Sequence, residues 1–298
     1  MNARERLAVL ASAWVFGAYS GAGGAAQDLM PDIHGLGFSA DGGTLLVATH
    51  HGLVGYEAGR WRRVEGPRHD LMGFAPTGRA LYTSGHPAAG SGLANPLGLM
   101  KSTDGGKSWK KLGLEGAADF HLSAASWGTG AILVFSPVAN ARMPSPGLYV
   151  TANDGFMWRR IAAQGLEGGP TSLAVHPTDA RTMAVGTQSG LFLSADGGER
   201  FRRVAGGGQV TSIAFSADGK SLWYGGYAGK PTLSRIALPA GTETGVALPR
   251  LDQDVVSNIA HHPRDPGTHA LATFKRNVYL SRDAGKTWRL LAEGGVPK

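Results

Sequence analysis

Six of the ten histidines fall between positions 34 and 121: His34, His50, His51, His69, His86 and His121. Their neighbours matter more than their number. Asp32-Ile33-His34 and Asp119-Phe120-His121 each place a carboxylate two residues before an imidazole, and His69-Asp70 lies between them. In an extended chain a spacing of two puts both side chains on the same face. Imidazoles beside carboxylates are what a divalent transition metal needs, the carboxylates acting as ligands or as acceptors that fix the imidazole tautomer. The candidate ligands are therefore His34, His50, His51, His69, His86 and His121, with Asp32, Asp70 and Asp119. Zinc would be satisfied by three or four of them. Copper stands equally: imidazole suits Cu(II), thioether suits Cu(I), and Met143, on the Ser136 to Pro146 loop, is expected at the same end of the fold. The chain has no cysteine, which excludes thiolate metal sites, disulfides and cysteine nucleophiles.

Residues so far apart in the chain meet only if the chain returns to the same place repeatedly, and its punctuation says that it does. Ser102-Thr103-Asp104-Gly105-Gly106-Lys107-Ser108-Trp109 recurs as Ser194 to Phe201 and as Ser281 to Trp288, with a weaker copy from Thr151 to Trp158. Each copy sits between two apolar runs, as a hairpin turn would. The Asp accepts backbone N–H bonds, Gly supplies positive φ, and the aromatic packs into the next strand. Aligning the copies gives strand-rich units of about 40–50 residues, the length of one four-stranded propeller blade. Their first strands are expected at Ile33 to Ser39, Asp70 to Ala75, His121 to Ser126, Thr171 to His176, Thr211 to Ser216 and Ser257 to His262. Within these runs Leu36, Met72, Ser123, Leu173, Ile213 and Ile259 are followed by Gly37, Gly73, Ala124, Ala174, Ala214 and Ala260, a column that is always small. A propeller requires this, because blades converge on the axis and leave no room there for a larger side chain. Second strands are expected at Leu45 to Thr49, Ala80 to Ser84, Ile132 to Phe135, Met183 to Thr187, Ser221 to Gly225 and Ala270 to Phe274. The first unit turns at Glu57 to Trp61 without a clear box, and the fifth is degenerate between Ser234 and Pro249.

The expected architecture is an all-β, six-bladed β-propeller, with seven blades the alternative. In such a blade the start of the first strand and the turn between the second and third strands share one end. All six histidines then map to one mouth of the central channel, on blades one to three. His176, His261 and His262 map to the far end, where a structural role is expected.

The repeated octapeptide resembles the Asp-box, or BNR, repeat of propellers such as sialidases, sortilin-type receptors and photosystem assembly factors. In that family the box is a structural turn. Beyond the boxes, Asp32 to Gly37, Thr49-His50-His51-Gly52-Leu53, Ser84-Gly85-His86-Pro87, Asn95 to Leu99 and Asp119-Phe120-His121-Leu122 resemble an exported bacterial family labelled as Asp-box glycosylhydrolases. The resemblance implies a propeller whose histidine-bearing motifs belong together. A glycosidase needs two carboxylates, and Asp32, Asp70 and Asp119 are the candidates at the mouth. A sialidase is disfavoured: no tyrosine has an evident glutamate partner, and the Phe/Tyr-Arg-Ile-Pro signature is absent. No phosphate-binding glycine motif or serine elbow is present.

With 298 residues and 42% hydrophobic content the chain can bury a large core, and residues 27 to 298 are expected to form one domain. Residues 1 to 26 read as an export signal, with Arg4 and Arg6 ahead of an apolar stretch from Leu7 to about Tyr19 and small residues ending at Ala26. A periplasmic or secreted monomer follows, starting near Gln27. A retained membrane anchor is the alternative, although glycine and serine interrupt the stretch short of a span. The net charge of +7 is spread over the fourth strands, as in Trp61-Arg62-Arg63, Trp109-Lys110-Lys111, Trp158-Arg159-Arg160 and Phe201-Arg202-Arg203. Such residues protect edge strands from pairing. They could also form a rim for an anionic envelope component or a partner protein, as in a scaffold or assembly factor. No specific nucleic-acid partner is expected.

Overall fold

The computed structural model describes residues 29–298, so the export-signal segment lies outside the described residues. The strands are β1 Gly35–Phe38, β2 Leu45–Thr49, β3 Gly52–Glu57 and β4 Arg60–Arg63 in blade 1; β5 Asp70–Pro76, β6 Leu81–His86, β7 Leu99–Ser102 and β8 Lys110–Gly113 in blade 2. Blade 3 holds β9 Ser123–Ala125, β10 Ile132–Ser136, β11 Gly147–Thr151 and β12 Arg159–Arg160; blade 4 holds β13 Pro170–Val175, β14 Met183–Thr187, β15 Gly190–Ser194 and β16 Arg202–Ala205. Blade 5 holds β17 Gln209–Phe215, β18 Ser221–Tyr227, β19 Pro231–Ala237 and β20 Glu243–Gly245; blade 6 holds β21 Val256–His261, β22 His269–Thr273, β23 Val278–Ser281, β24 Arg289–Glu293 and β25 Val296–Pro297. Each sheet is an antiparallel meander in chain order, giving six blades and not seven. No helix among the described residues is long and apolar enough to cross a membrane.

Strands β2 and β14 have the expected bounds, but β1 and β9 begin later than the sequence suggests. His34 and His121 therefore lie in the segments that enter their blades. Both segments are pinned: the His34 amide bonds the Ala48 carbonyl at 2.9 Å, and the Phe120 amide bonds Ser84 Oγ of blade 2 at 3.0 Å. Phe120 is wholly buried, which anchors Asp119 and His121 on either side of it.

The small column lines an axial cavity of about 400 Å³. A Cβ on Gly37 would stand 2.3 Å from Pro76 Cγ, and one on Gly73 would stand 2.1 Å from the Phe120 carbonyl oxygen. Gly73 also has φ of 53°, so it is glycine for both space and conformation.

The Asp-boxes turn the third strand into the fourth at the blade rim. In blade 2, Asp104 Oδ1 accepts Ser102 Oγ at 2.7 Å and the Ser108 amide at 3.0 Å, while Ser102 Oγ accepts the Gly106 amide at 2.8 Å. Blades 4 and 6 repeat this through Asp196 and Asp283. In the weaker copy Asn153, not Asp154, takes the acceptor role, receiving Thr151 Oγ1 and the Met157 amide, each at 2.9 Å. Asp154 is released to bind Lys101 Nζ at 2.6 Å and the Tyr82 hydroxyl at 2.7 Å, bolting blade 3 to blade 2.

The ring closes by packing. Met30, Phe38 and Tyr56 of the first blade and its lead-in share a core with Ala260, Leu280 and Leu291 of the last, and Trp61 Nε1 donates to the Leu291 carbonyl at 3.0 Å. The basic residues of the fourth strands do stand on the outer edges, where Arg159 meets Glu199 at 2.8 Å and Arg203 meets Glu167 at 2.6 Å.

Candidate metal centre

Counting three residues back from the small column gives one position per blade: His34, Asp70, His121, Thr171, Thr211 and Ser257. In blades 4 to 6 this position is the site of a register shift in the ladder. Thr171 and Thr211 use their hydroxyls to bond the backbone carbonyls of Val210 and Val256 in the following blade, and Ser257 bonds Asn258 Oδ1. Half the ring is thus consumed by structure. In blade 2 the irregularity moves to between Met72 and Ala75, where Gly73 permits it, and Asp70 stays in register opposite His86. Directly opposed residues of an antiparallel pair project to the same face, so Asp70 and His86 point the same way.

Two compact groups result. The donor atoms of Asp32, His34 and His50 all lie within 4.8 Å of one another, as do those of His86, Asp119 and His121. In the first group the His34 and His50 rings are 4.5 Å apart and His50 Nε2 is 3.8 Å from Asp32 Oδ2. In the second, Asp119 Oδ2 is 2.6 Å from His121 Nε2 and 3.3 Å from His86 Nε2. Asp70 belongs to neither but touches the first, with Oδ1 3.4 Å from His34 Nε2 and Oδ2 3.6 Å from His50 Nε2.

Protonation explains why this is not a plain set of ion pairs. Burial pushes His34 down to about 4, an effect that Asp32 partly offsets and that His50, His121 and His86 reinforce. Burial also raises the Asp70 carboxyl, against the pull of His50, His86 and His121. The short His34 to Asp70 distance is therefore not a settled salt bridge, since both partners are driven away from their charged forms. His34 Nε2, Asp70 Oδ1 and Asp119 Oδ1 are buried and make no hydrogen bond. His34 Nε2 and Asp70 Oδ1 thus face each other at 3.4 Å with neither held by a hydrogen bond. Only His121 moves the other way, its hydrogen bond to Asp119 holding it above the usual imidazole range.

His86 Nδ1 lies 2.7 Å from Asn95 Oδ1. The amide oxygen can only accept, so Nδ1 is the donor in this contact and Nε2 is the nitrogen turned towards Asp119. Asn95 belongs to a motif quoted above, but nothing in its type or position marked it as the residue that orients His86.

Four of the six candidate histidines converge, with all three aspartates. His51 is exposed and in neither group. His69 is buried, its Nδ1 accepting the Ala88 amide at 3.0 Å, and burial lowers its pKa. Each is the chain neighbour of a residue that does converge: His51 shares the two-residue turn between β2 and β3 with His50, and His69 precedes Asp70 at the start of β5. Met143 is fully buried in the blade 3 core with Phe120 and Tyr149, so no thioether reaches the mouth from that loop. At the far end His176 Nε2 meets the Gly219 carbonyl at 3.1 Å, and His262 packs edge-on against Phe38 of blade 1. There His261 and His269 bond each other through Nδ1 at 2.9 Å, both against Trp223.

Comparison with known proteins agrees with the turn and the fold. The family described as BNR/Asp-box repeat matches residues 100–111. A probable oligoxyloglucan-reducing end-specific xyloglucanase of Neosartorya fischeri is 29% identical over 217 residues, covering 67% of this chain and 25% of that protein. The chain thus spans about a quarter of the length of the curated relative it matches. Among solved structures, the GH74 enzyme of Niastella koreensis superposes with a TM-score of 0.61 at 16% identity over 87% of this chain and 45% of that one. YCF48 bound to D1 peptide superposes with a TM-score of 0.51 at 19% identity over 87% of this chain and 80% of that one. The chain is a six-bladed β-propeller that carries a BNR/Asp-box repeat match in its second blade.

Proposed function

We propose that this Asp-box propeller binds a divalent transition metal, Cu(II) or Zn(II), at the channel mouth formed by blades 1 to 3. The supporting observation is the set of buried, unpartnered donor atoms on His34, Asp70 and Asp119, which stand among four imidazoles. Ligands about 2.1 Å from a tetrahedral ion lie roughly 3.4 Å from one another. The separations of 3.3 to 3.8 Å linking His34, His50, Asp32, Asp70, His86 and Asp119 have that size. The 2.6 Å bond from His121 to Asp119 is shorter and must open, with loss of its proton, when an ion enters. Imidazole and carboxylate without thioether favour Cu(II) or Zn(II) over Cu(I). Given the leader-like residues 1 to 26, we place this binding in the periplasm or outside the cell. The test is elemental analysis of untagged protein with its His34→Ala, His121→Ala double variant: bound copper or zinc that disappears in the variant supports the reading.

A second reading, glycoside hydrolysis on the same face, is favoured by the similarity to the xyloglucanase and by the buried Asp70 carboxyl, whose raised pKa suits a general acid. Release of reducing ends from xyloglucan oligosaccharides or aryl glycosides that survives chelator and vanishes in Asp70→Asn would favour it over metal binding.

A further inference from the structure

We infer that the mouth holds two metal ions rather than one, with the Asp70 carboxylate shared between them. This rests on the metal-binding reading above and goes beyond it in number and connectivity.

The argument is one of placement. Asp32, His34 and His50 all come from blade 1, whereas His121 and Asp119 come from blade 3 and His86 from blade 2. Each group supplies two imidazoles and one carboxylate, enough for one ion with a position left over. No ligand atom of either group need serve the other. Asp70 occupies the same ring position in blade 2 that His34 occupies in blade 1 and His121 in blade 3, so it stands between them around the axis. Both of its carboxylate oxygens reach the imidazoles of the first group, Oδ1 at 3.4 Å from His34 Nε2 and Oδ2 at 3.6 Å from His50 Nε2. Across the ladder its partner is His86, the second group's imidazole on the same face. Its Oδ1 is buried without a hydrogen bond.

The contrast with blades 4 to 6 makes the placement specific. There the equivalent side chains are short hydroxyls, set in irregular ladder positions and used up in bonds to backbone or to a neighbouring amide. In blade 2 the irregularity is displaced to Gly73, whose missing Cβ alone allows Phe120 to approach. That displacement leaves Asp70 in register, its carboxylate turned to imidazoles rather than to backbone.

The experiment uses untagged full chain, stripped with chelator and reloaded with Zn(II) or Cu(II), counting ions per chain after desalting. Two ions per chain are expected, falling to one in Asp119→Asn, His121→Ala and to one in Asp32→Asn, His34→Ala. Asp70→Asn should weaken both ions by at least about tenfold, measured by competition with a chromophoric chelator. In the Cu(II) form a carboxylate-bridged pair gives a half-field resonance that the one-ion variants lack. One ion per chain in the wild type overturns the shared pair and leaves the metal-binding reading intact. No ion overturns both. Two ions with simple additive spectra, indifferent to Asp70→Asn, overturn the shared carboxylate.

Discussion

Replacing Gly73 by alanine tests whether the channel column positions the site as well as the fold. The new Cβ would sit 2.1 Å from the carbonyl oxygen of Phe120 and 2.9 Å from Ser123 Oγ, at φ of 53°. The left-handed conformation costs a non-glycine residue about 1–2 kcal/mol. Forcing blade 3 away from blade 2 adds about 1–3 kcal/mol, the usual cost of overpacking. A loss of about 2–5 kcal/mol lowers Tm by about 4–10 °C in a domain of this size, at roughly 2 °C per kcal/mol. Because Phe120 lies between Asp119 and His121, the same shift moves the second ligand group, so metal bound per chain should fall together with Tm. The control is Gly59→Ala: Gly59 has φ of 83° but nothing within 4 Å of its Cβ position, so only the conformational cost of about 1–2 kcal/mol applies. Calorimetry and elemental analysis on both variants give the answer. Equal Tm values for the two would refute the steric reasoning, and a full metal complement in a destabilised Gly73→Ala would refute the link from column to site.

Two further outcomes are expected. Burial holds His261 at about 3 and His269 at about 4, both below the unfolded imidazole value near 6.5. Their contribution to stability is complete above about pH 6.5 and is lost as pH falls towards those values, because the unfolded chain then binds more protons; the loss at pH 5 is up to about 2 kcal/mol per histidine. Thermal melts from pH 7 to pH 5 should show this fall, and His269→Gln should flatten it. Separately, Asn95→Ala removes the acceptor that orients His86 and should weaken metal binding about 10-fold or more with Tm nearly unchanged, as read by chelator competition.

The propeller was legible because its causes repeat. A box whose acidic residue must accept the same two bonds, and a column that admits only glycine or alanine, both recur at a fixed spacing that alignment exposes. His34 and His121 were legible as equivalents for the same reason. What the repeat does not carry was harder to read. His50 and His51, or His69 and Asp70, are adjacent, and only the strand phase at each turn decides which member faces the axis; the expectation took both. Met143 sits on a long loop between β10 and β11 that lies outside the strand repeat, so its direction had no register to be read from. In the box of blade 3 the aspartate is one place out of step, and only the hydrogen bonds show Asn153 turning the chain while Asp154 serves Lys101 and Tyr82. Asp70 was visible as a candidate, but its place between two ligand groups comes from a ladder irregularity displaced by a single glycine.

The most direct measurement is the metal content of untagged protein after exposure to an equimolar mixture of copper and zinc and removal of unbound ions. The account predicts tightly held copper or zinc in the wild type and a large loss in the His34→Ala, His121→Ala variant, with the propeller still folded by circular dichroism. A metal-free wild type, or a variant that retains the full complement, would contradict it.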